Sequence, residues 1–138
     1  YKPELGKGVQ ISQGEDALIF TYGPQMLTNA IAAADELENL MGIKVGVINM
    51  PWLNIVNYEW LYETTKSVNN IFCIDNHYKI GGLSDRIAAT ISSFKNLNIN
   101  QTSIGLDEVP ACGSNDEIMS FHGLDSQSIF EKIKSVMR

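Results

Sequence analysis

Three short runs of consecutive apolar residues divide this chain into units of strand and helix. The runs are ALIFT at 17–21, KVGVIN at 44–49 and IFCI at 71–74. Apolar side chains on successive rather than alternate positions predict strands that are covered on both faces. Each run is followed by apolar residues at helical spacing. This alternation predicts a parallel sheet with right-handed crossovers and helices on both faces, a three-layer α/β/α domain.

Local signals mark the ends of the helices in these units. The first helix is predicted to begin at Pro24, where the missing N–H of proline is not needed, and to end at Gly42 as a C-terminal cap. Asn57 has the side chain of an N-cap for a second helix, whose apolar face extends to Val68. A third helix with one apolar face is predicted over 83–94.

Weaker signals flank this pattern. We interpret 1–13, which mixes Pro, Gly and charged residues, as a linker with a possible edge strand at Val9–Ser12, and 14–138 as the domain. Thr102–Leu106 predicts a further strand, so the sheet has about five strands. Two more helices are predicted from their N-terminal signals, a capping box of Ser114 with Glu117 and an N-cap at Asp125.

The third apolar run ends in a polar segment, IFCIDNHYKIGG over 71–82, which contains candidate site residues. Imidazole is a common proton-transfer group, and His77 follows a predicted strand, so it is a candidate for proton transfer or substrate binding. A histidine in a loop or a subunit interface is the commoner explanation. Gly81 and Gly82 precede a helix, where backbone N–H groups can bind an anion, or they allow a tight turn with close packing.

The carboxyl ends of the predicted strands suggest a second hypothesis. In parallel sheets, ligands bind in the crevice at these ends. The four predicted strands end near Tyr22, Asn49, Asn76 and Asp107. Tyr22 and Asn76 are therefore candidates for a ligand site or an interface, and a stand-alone α/β binding module remains open.

Charge and composition argue against several classes of function. A formal net charge of −6 and a pI near 4.8 argue against nucleic acid as a partner. No apolar stretch approaches the roughly 20 residues that cross a bilayer, so no membrane partner is expected. Cys73 and Cys112 form neither a metal spacing nor a disulfide framework, which favours a reducing, cytoplasmic environment without a metal site. Because the sequence begins YKPELGKG without Met, we expect a piece of a longer protein.

Six segments, taken in order, resemble the C-terminal domain of transketolase-type enzymes. They are LGKG (5–8), GEDALIFTYG (14–23), GIKVGVIN (42–49), IFCIDNHYKIGGLSDRIAATI (71–91), IGLDEV (104–109) and GLDSQSIFEKIK (123–134). The likeness covers about Leu5–Val136 and rests on order and spacing. The related enzymes are transketolases, deoxyxylulose-phosphate synthases and β subunits of 2-oxo acid dehydrogenases.

The resemblance implies a mainly parallel sheet with one antiparallel strand, for which Val9–Ser12 is the candidate. It also implies a dimeric, three-domain enzyme that uses thiamine diphosphate and Mg, bound between the two other domains. The family's Gly-Asp-Gly motif for the diphosphate and metal is missing from this chain. We therefore expect no cofactor and no catalytic residue here, with His77 as the one weak candidate.

These expectations combine into a predicted function. The chain is expected to be the dimer-supporting C-terminal domain of an enzyme that transfers ketol units between sugar phosphates, inactive alone and partnered by the remaining domains or subunit. The C-terminal domain of a 2-oxo acid dehydrogenase β subunit is the alternative. Pro51 and Trp52 replace the family's Arg-Thr pair, and Asn76 replaces one of two acids before His77, so the substrate stays open.

Overall fold

The computed structural model describes residues 2–138, in which five strands form one sheet. The strands are β1 (Val9–Ser12), β2 (Ala17–Thr21), β3 (Val45–Asn49), β4 (Asn70–Tyr78) and β5 (Asn100–Leu106). The helices are α1 (Pro24–Met41), α2 (Tyr58–Thr65), α3 (Leu83–Ile91), α4 (Asn115–Phe121) and α5 (Ser126–Met137). No helix of the described residues is long and apolar enough to cross a membrane.

The sheet is mixed but mainly parallel, with the strand order β1-β3-β2-β4-β5. Strands β2 to β5 run parallel to one another, whereas β1 pairs antiparallel with β3 at one edge. The predicted fold class is confirmed. Val9–Ser12 is the antiparallel strand that the resemblance implied.

Helices cover both faces of the sheet and bury two separate apolar cores. The first core joins the strands to α1 and α5 through Ala17, Ile19, Val47, Phe72 and Ile74 with Met26, Ala30, Leu37, Ile129 and Ile133. The second joins them to α2 and α3 through Leu18, Phe20, Ile48, Ile71 and Cys73 with Leu61, Leu83 and Ile87. Successive residues of β2 and β4 thus enter opposite cores, which is why these strands are apolar at consecutive positions.

The predicted helix caps are confirmed. Asn57 Oδ1 accepts a hydrogen bond from Trp60 N at 2.9 Å, and Ser114 forms a complete capping box with Glu117. Gly42 ends α1 with a φ of 66°, the left-handed conformation that favours glycine. These local interactions set where the helices begin and end relative to the sheet.

Strand β4 is longer than its apolar pattern predicts. The run IFCI predicts a strand over 71–74, but β4 continues to Tyr78. After Ile74 its pairing with β5 shifts register, and Tyr78 then lies opposite Leu106. Backbone pairing extends the strand although its last three side chains are exposed, and a hydrophobic pattern carries no signal for such pairing.

Three other predicted boundaries are wrong by two or three residues. Helix α3 ends at Ile91 rather than at residue 94, and Phe94 lies in the following turn, where its N–H donates to the Ile91 carbonyl at 2.9 Å. Helix α2 ends at Thr65, and Val68 is buried in the following turn, where its N–H donates to the Thr65 carbonyl at 3.1 Å. Strand β5 begins at Asn100, whose N–H donates to the Asn69 carbonyl at 2.8 Å. In each case the backbone hydrogen bonds begin or end at a different residue from the apolar pattern.

The direction in which successive strands are added to the sheet reverses between β2 and β4. From β2 the chain passes through α1 to β3 on one side, and from β4 it passes through α3 to β5 on the other. Helices α1 and α3 contribute to opposite cores. Ligands of such sheets bind in the crevice at this switch point, outside the carboxyl ends of the two strands.

Candidate functional site

Three elements meet at the switch point through the carboxylate of Asp75. Asp75 lies in β4 and is fully buried. Its Oδ1 accepts hydrogen bonds from Leu83 N at 2.7 Å and from the Tyr22 hydroxyl at 3.1 Å. Its Oδ2 accepts from Ser84 N at 3.0 Å and from Ser84 Oγ at 2.7 Å. These four residues, which we call the Asp75 network, link the ends of β2 and β4 to the first turn of α3.

The two glycines before α3 have different structural purposes. A Cβ at position 82 would lie 2.5 Å from Asp75 Oδ1, so Gly82 permits the close approach of helix and strand. Gly81 has a φ of 81° and no atom within 4 Å of an added Cβ, so it provides the turn. The Gly81 N–H donates to the Asp85 carboxylate at 2.7 Å.

Burial and the helix N-terminus set the electrostatics of the network. The N–H groups of Leu83 and Ser84 bind the Asp75 carboxylate at the positive end of α3. Burial, then the charge of Asp75 and the hydrogen bond to it, raises the pKa of Tyr22 far above its ordinary value. Tyr22 is therefore a hydroxyl donor at neutral pH. Burial, with a smaller contribution from Asp75, also raises the pKa of the Cys73 thiol, which disfavours a reactive thiolate.

The Asp75 carboxylate engages the first N–H groups of α3 with a side chain of the chain itself, and a cleft of about 380 Å³ remains open beside it, lined in part by Leu53, Gly81 and Gly82. The N–H groups of α3 that bind anions in other proteins are already bound to Asp75. A buried carboxylate with four donors is fully satisfied and positions α3 against β2 and β4. The geometry therefore supports a structural purpose at this crevice rather than proton transfer.

Asn76 and His77 lie outside the network, at the exposed end of β4. His77 Nδ1 lies 3.1 Å from the carbonyl oxygen of Tyr78, which can only accept, so Nδ1 carries the proton. Across residues 2–138, His77 has no hydrogen bond to a carboxylate, the usual partner that orients a histidine base. Its proposed catalytic use stays a prediction.

The structure separates the residues that sequence reasoning grouped at the crevice. Tyr22 belongs to the Asp75 network, whereas Asp107 lies in the loop after β5. There it accepts a hydrogen bond at 2.7 Å from the ammonium group of Lys79, in the loop after β4. Among the described residues, no three His, Cys, Asp or Glu side chains form a group that could hold a metal ion.

Asp75 and Ser84 were missed as partners in one network. A usable signal exists in the sequence, because Asp75 follows a buried apolar run, and a helix preceded by a Gly pair begins eight residues later. A buried carboxylate needs several donors, and a helix N-terminus supplies them. Sequence alone does not say that this helix start folds back onto the same strand.

Exposed apolar side chains lie near the carboxyl ends of β4 and β5. Tyr78, Ile80 and Val109, which we call the apolar rim, follow or end β4 and β5. Ile80 is 85% exposed and Val109 is 79% exposed. The ion pair between Lys79 and Asp107 connects the two loops that carry them. The pairing of Tyr78 with Leu106 also holds these segments together, and exposed apolar residues on adjacent segments are typical of an interaction surface.

Comparisons with known sequences identify the family. The family model for the transketolase C-terminal domain matches residues 6–129. A Methanocaldococcus jannaschii protein named as a transketolase C-terminal section is 30% identical over 136 residues, 98% of this chain and 41% of that protein. The 1-deoxy-D-xylulose-5-phosphate synthase of Dictyoglomus turgidum is 33% identical over 137 residues, 99% of this chain and 22% of the synthase. The chain belongs to the transketolase C-terminal domain family.

Solved structures share the fold. A split-gene transketolase, described as an inactive β4 tetramer, has a TM-score of 0.88 at 24% identity, covering 99% of this chain and 44% of that chain. A transketolase variant from Pichia stipitis has a TM-score of 0.65 at 20% identity, covering 96% of this chain and 18% of that chain. The chain thus spans less than half the length of these proteins.

Proposed function

We propose that this chain is the C-terminal assembly domain of a thiamine diphosphate-dependent, transketolase-like enzyme that transfers ketol units between sugar phosphates. In this proposal the domain supports a homodimer and holds the remaining domains or subunit, while thiamine diphosphate and Mg bind elsewhere in a cytoplasmic enzyme. Membership of the family and the names of its relatives support the proposal.

One observation carries the assignment of an assembly role, namely that the Asp75 carboxylate already binds the first N–H groups of α3 at the switch point. A diphosphate needs free donors, and its Mg needs oxygen ligands. The α3 N–H groups of Leu83 and Ser84 are bound to Asp75, and residues 2–138 contain no group of side chains suited to a metal. The residues of this chain therefore do not fit the cofactor, and we derive no chemical step through it.

The apolar rim supports the assembly role from the outside of the same edge. Ile80 and Val109 expose most of their apolar surface, which is favourable to bury against another protein surface. A relative of the same fold is described as a tetramer of its β chains. By analogy, we propose that the rim packs against a second copy or a neighbouring domain of the parent enzyme.

A second candidate reaction comes from the relatives. The 33% identical protein is a 1-deoxy-D-xylulose-5-phosphate synthase, so formation of that product is an alternative activity for the parent enzyme. The C-terminal domain of a 2-oxo acid dehydrogenase β subunit and the stand-alone binding module remain predictions from the sequence.

Isothermal titration calorimetry with thiamine diphosphate and Mg²⁺ tests the placement of the cofactor. We expect no binding by this chain and no ketol transfer in a coupled assay. Micromolar affinity for the cofactor would contradict its placement in other domains.

Sedimentation velocity over a concentration series tests the role of the apolar rim. We expect weak self-association, and we expect Ile80→Asp combined with Val109→Asp to abolish it. Leu40→Asp is the matched control, because Leu40 is 68% exposed near the end of α1. The end of α1 lies near the amino end of β3, whereas the rim lies near the carboxyl ends of β4 and β5. A strict monomer at high concentration, or equal loss of association in the Leu40 variant, would count against the rim.

A further inference from the structure

A second cleft lies beside β5, the last strand in the sheet order, and is separate from the Asp75 network. Its volume is about 210 Å³. Pockets for drug-sized ligands measure roughly 300–1,000 Å³, so this cleft suits a smaller molecule. The polar side chains that line it come from the loops after β4 and β5, from β5 itself and from the α4–α5 region, and they are Lys79, Ser103, Asp107, His122, Ser128 and Lys132.

The cleft is positive on an acidic chain. The chain has 16 acidic and 10 basic residues, yet two lysines and one acid line this cleft. Asp107 pairs with Lys79 at 2.7 Å. Lys132 is exposed on α5 and forms no ion pair with any of residues 2–138. One positive charge at the cleft is therefore left without a partner.

Neutral donors accompany this charge. His122 Nε2 accepts a hydrogen bond from the backbone N–H of Ala111 at 3.0 Å. The neutral ring must then carry its proton on Nδ1, so its remaining nitrogen is a donor. Ser103 and Ser128 add hydroxyl groups to the lining. The cleft thus offers donors from several elements of the fold.

We propose that this cleft binds a small phosphate-bearing anion. Lysine acts as a point charge and is a common phosphate ligand. The lining contains no arginine, whose planar fork binds carboxylates and phosphates alike, so the lysine charge and the hydroxyl donors would have to bind the anion. Donors on β5, α5 and the loop after β4 surround the space, which suits oxygens that point in several directions. The site does not depend on the assembly role or on thiamine diphosphate.

Titrations of the full chain followed by ¹H–¹⁵N NMR test the site with three probes: inorganic phosphate, glycerol 3-phosphate and succinate. We expect saturable shifts for both phosphates at Gly105, Gly123 and Lys132. Lys132→Gln is expected to weaken phosphate binding about tenfold, because it removes the unpaired charge. Lys134→Gln is the matched control, with the same charge change on the same helix but outside the lining, and is expected to change affinity less than about twofold.

The probes distinguish the two sources of phosphate. Tighter binding of glycerol 3-phosphate supports a phosphate monoester as the ligand, and tighter binding of inorganic phosphate supports the free ion. Shifts that do not saturate, tighter binding of succinate than of either phosphate, or equal weakening in the Lys132 and Lys134 variants would overturn the proposal.

Discussion

Replacing Gly82 by Ala places a methyl group in the space that the Asp75 carboxylate occupies. The new Cβ would lie 2.5 Å from Oδ1, 2.7 Å from Cγ and 3.0 Å from Oδ2. Backbone strain is not the cause, because Gly82 has a φ of −94° that any residue adopts. Either α3 moves away from β4 or the carboxylate turns, and in both cases its hydrogen bonds to Leu83 and Ser84 lengthen.

The expected cost of this change follows from those hydrogen bonds. A hydrogen bond to a charged group contributes about 1.5–3 kcal/mol, and Asp75 accepts two from the backbone of α3. Partial loss of both lowers the free energy of unfolding by about 2–4 kcal/mol. Urea denaturation followed by circular dichroism is expected to show a lower midpoint with an unchanged slope.

A double-mutant cycle with Asp75→Ser isolates the contact. Ser lacks both carboxylate oxygens, and its single Oγ, which takes the place of Cγ, can rotate away from the new methyl group, so Gly82→Ala is expected to cost less than about 1 kcal/mol in that background. Gly81→Ala is the control, because its φ of 81° strains alanine by about 1–2 kcal/mol without a contact to Asp75. If Gly82→Ala costs the same in both backgrounds, the contact with Asp75 is not the cause.

Three further outcomes are expected. Tyr22→Phe removes a donor to Asp75 and lowers the free energy of unfolding by about 1 kcal/mol. Because folding raises the pKa of Tyr22, the unfolded phenol ionises first, and the stability of the unmodified protein falls above about pH 10. Thermal melting temperatures of the Phe variant are therefore expected to depend less on alkaline pH. Parallel plots of melting temperature against pH for the two proteins would contradict this. Exposed Cys112 is expected to react rapidly with a thiol reagent, and buried Cys73 only after unfolding. Rapid reaction of two thiols per folded chain would contradict the burial of Cys73. Asn57→Ala removes the N-cap of α2 and costs about 1 kcal/mol in urea denaturation, and an unchanged midpoint would show that the cap contributes nothing.

The parts of the fold that the sequence predicts are those with a local cause. Strand β2 has the predicted bounds because its residues alternate between two apolar cores, which leaves a consecutive apolar run. Gly42 and Ser114 mark helix ends through their own backbone or side-chain chemistry. The last residues of β4 were missed because their pairing with β5 is a long-range backbone interaction between exposed residues.

The Asp75 network was predicted only in part for a similar reason. The position of Tyr22 directly after a predicted strand indicates that it lies at the carboxyl end of that strand. In the structure β2 ends at Thr21, so Tyr22 has this position. The partner of Tyr22 lies 53 residues away, and the donors from α3 depend on how tightly that helix packs. Gly82 is the residue that permits this packing, but a Gly pair before a helix has the same appearance in a simple turn.

The network also restricts what His77 can do. Asp75 and His77 are two residues apart in β4, a spacing that in a regular strand places both side chains on one face and suggests an acid and base pair. The two oxygens of Asp75 already accept four hydrogen bonds, which use about four lone-pair sites of a carboxylate. Asp75 therefore has no acceptor site left to orient His77. Among the described residues, the Tyr78 carbonyl is the group that orients His77, so a carboxylate partner for a catalytic His77 would have to come from another domain or subunit, in the assembly that the apolar rim is proposed to form.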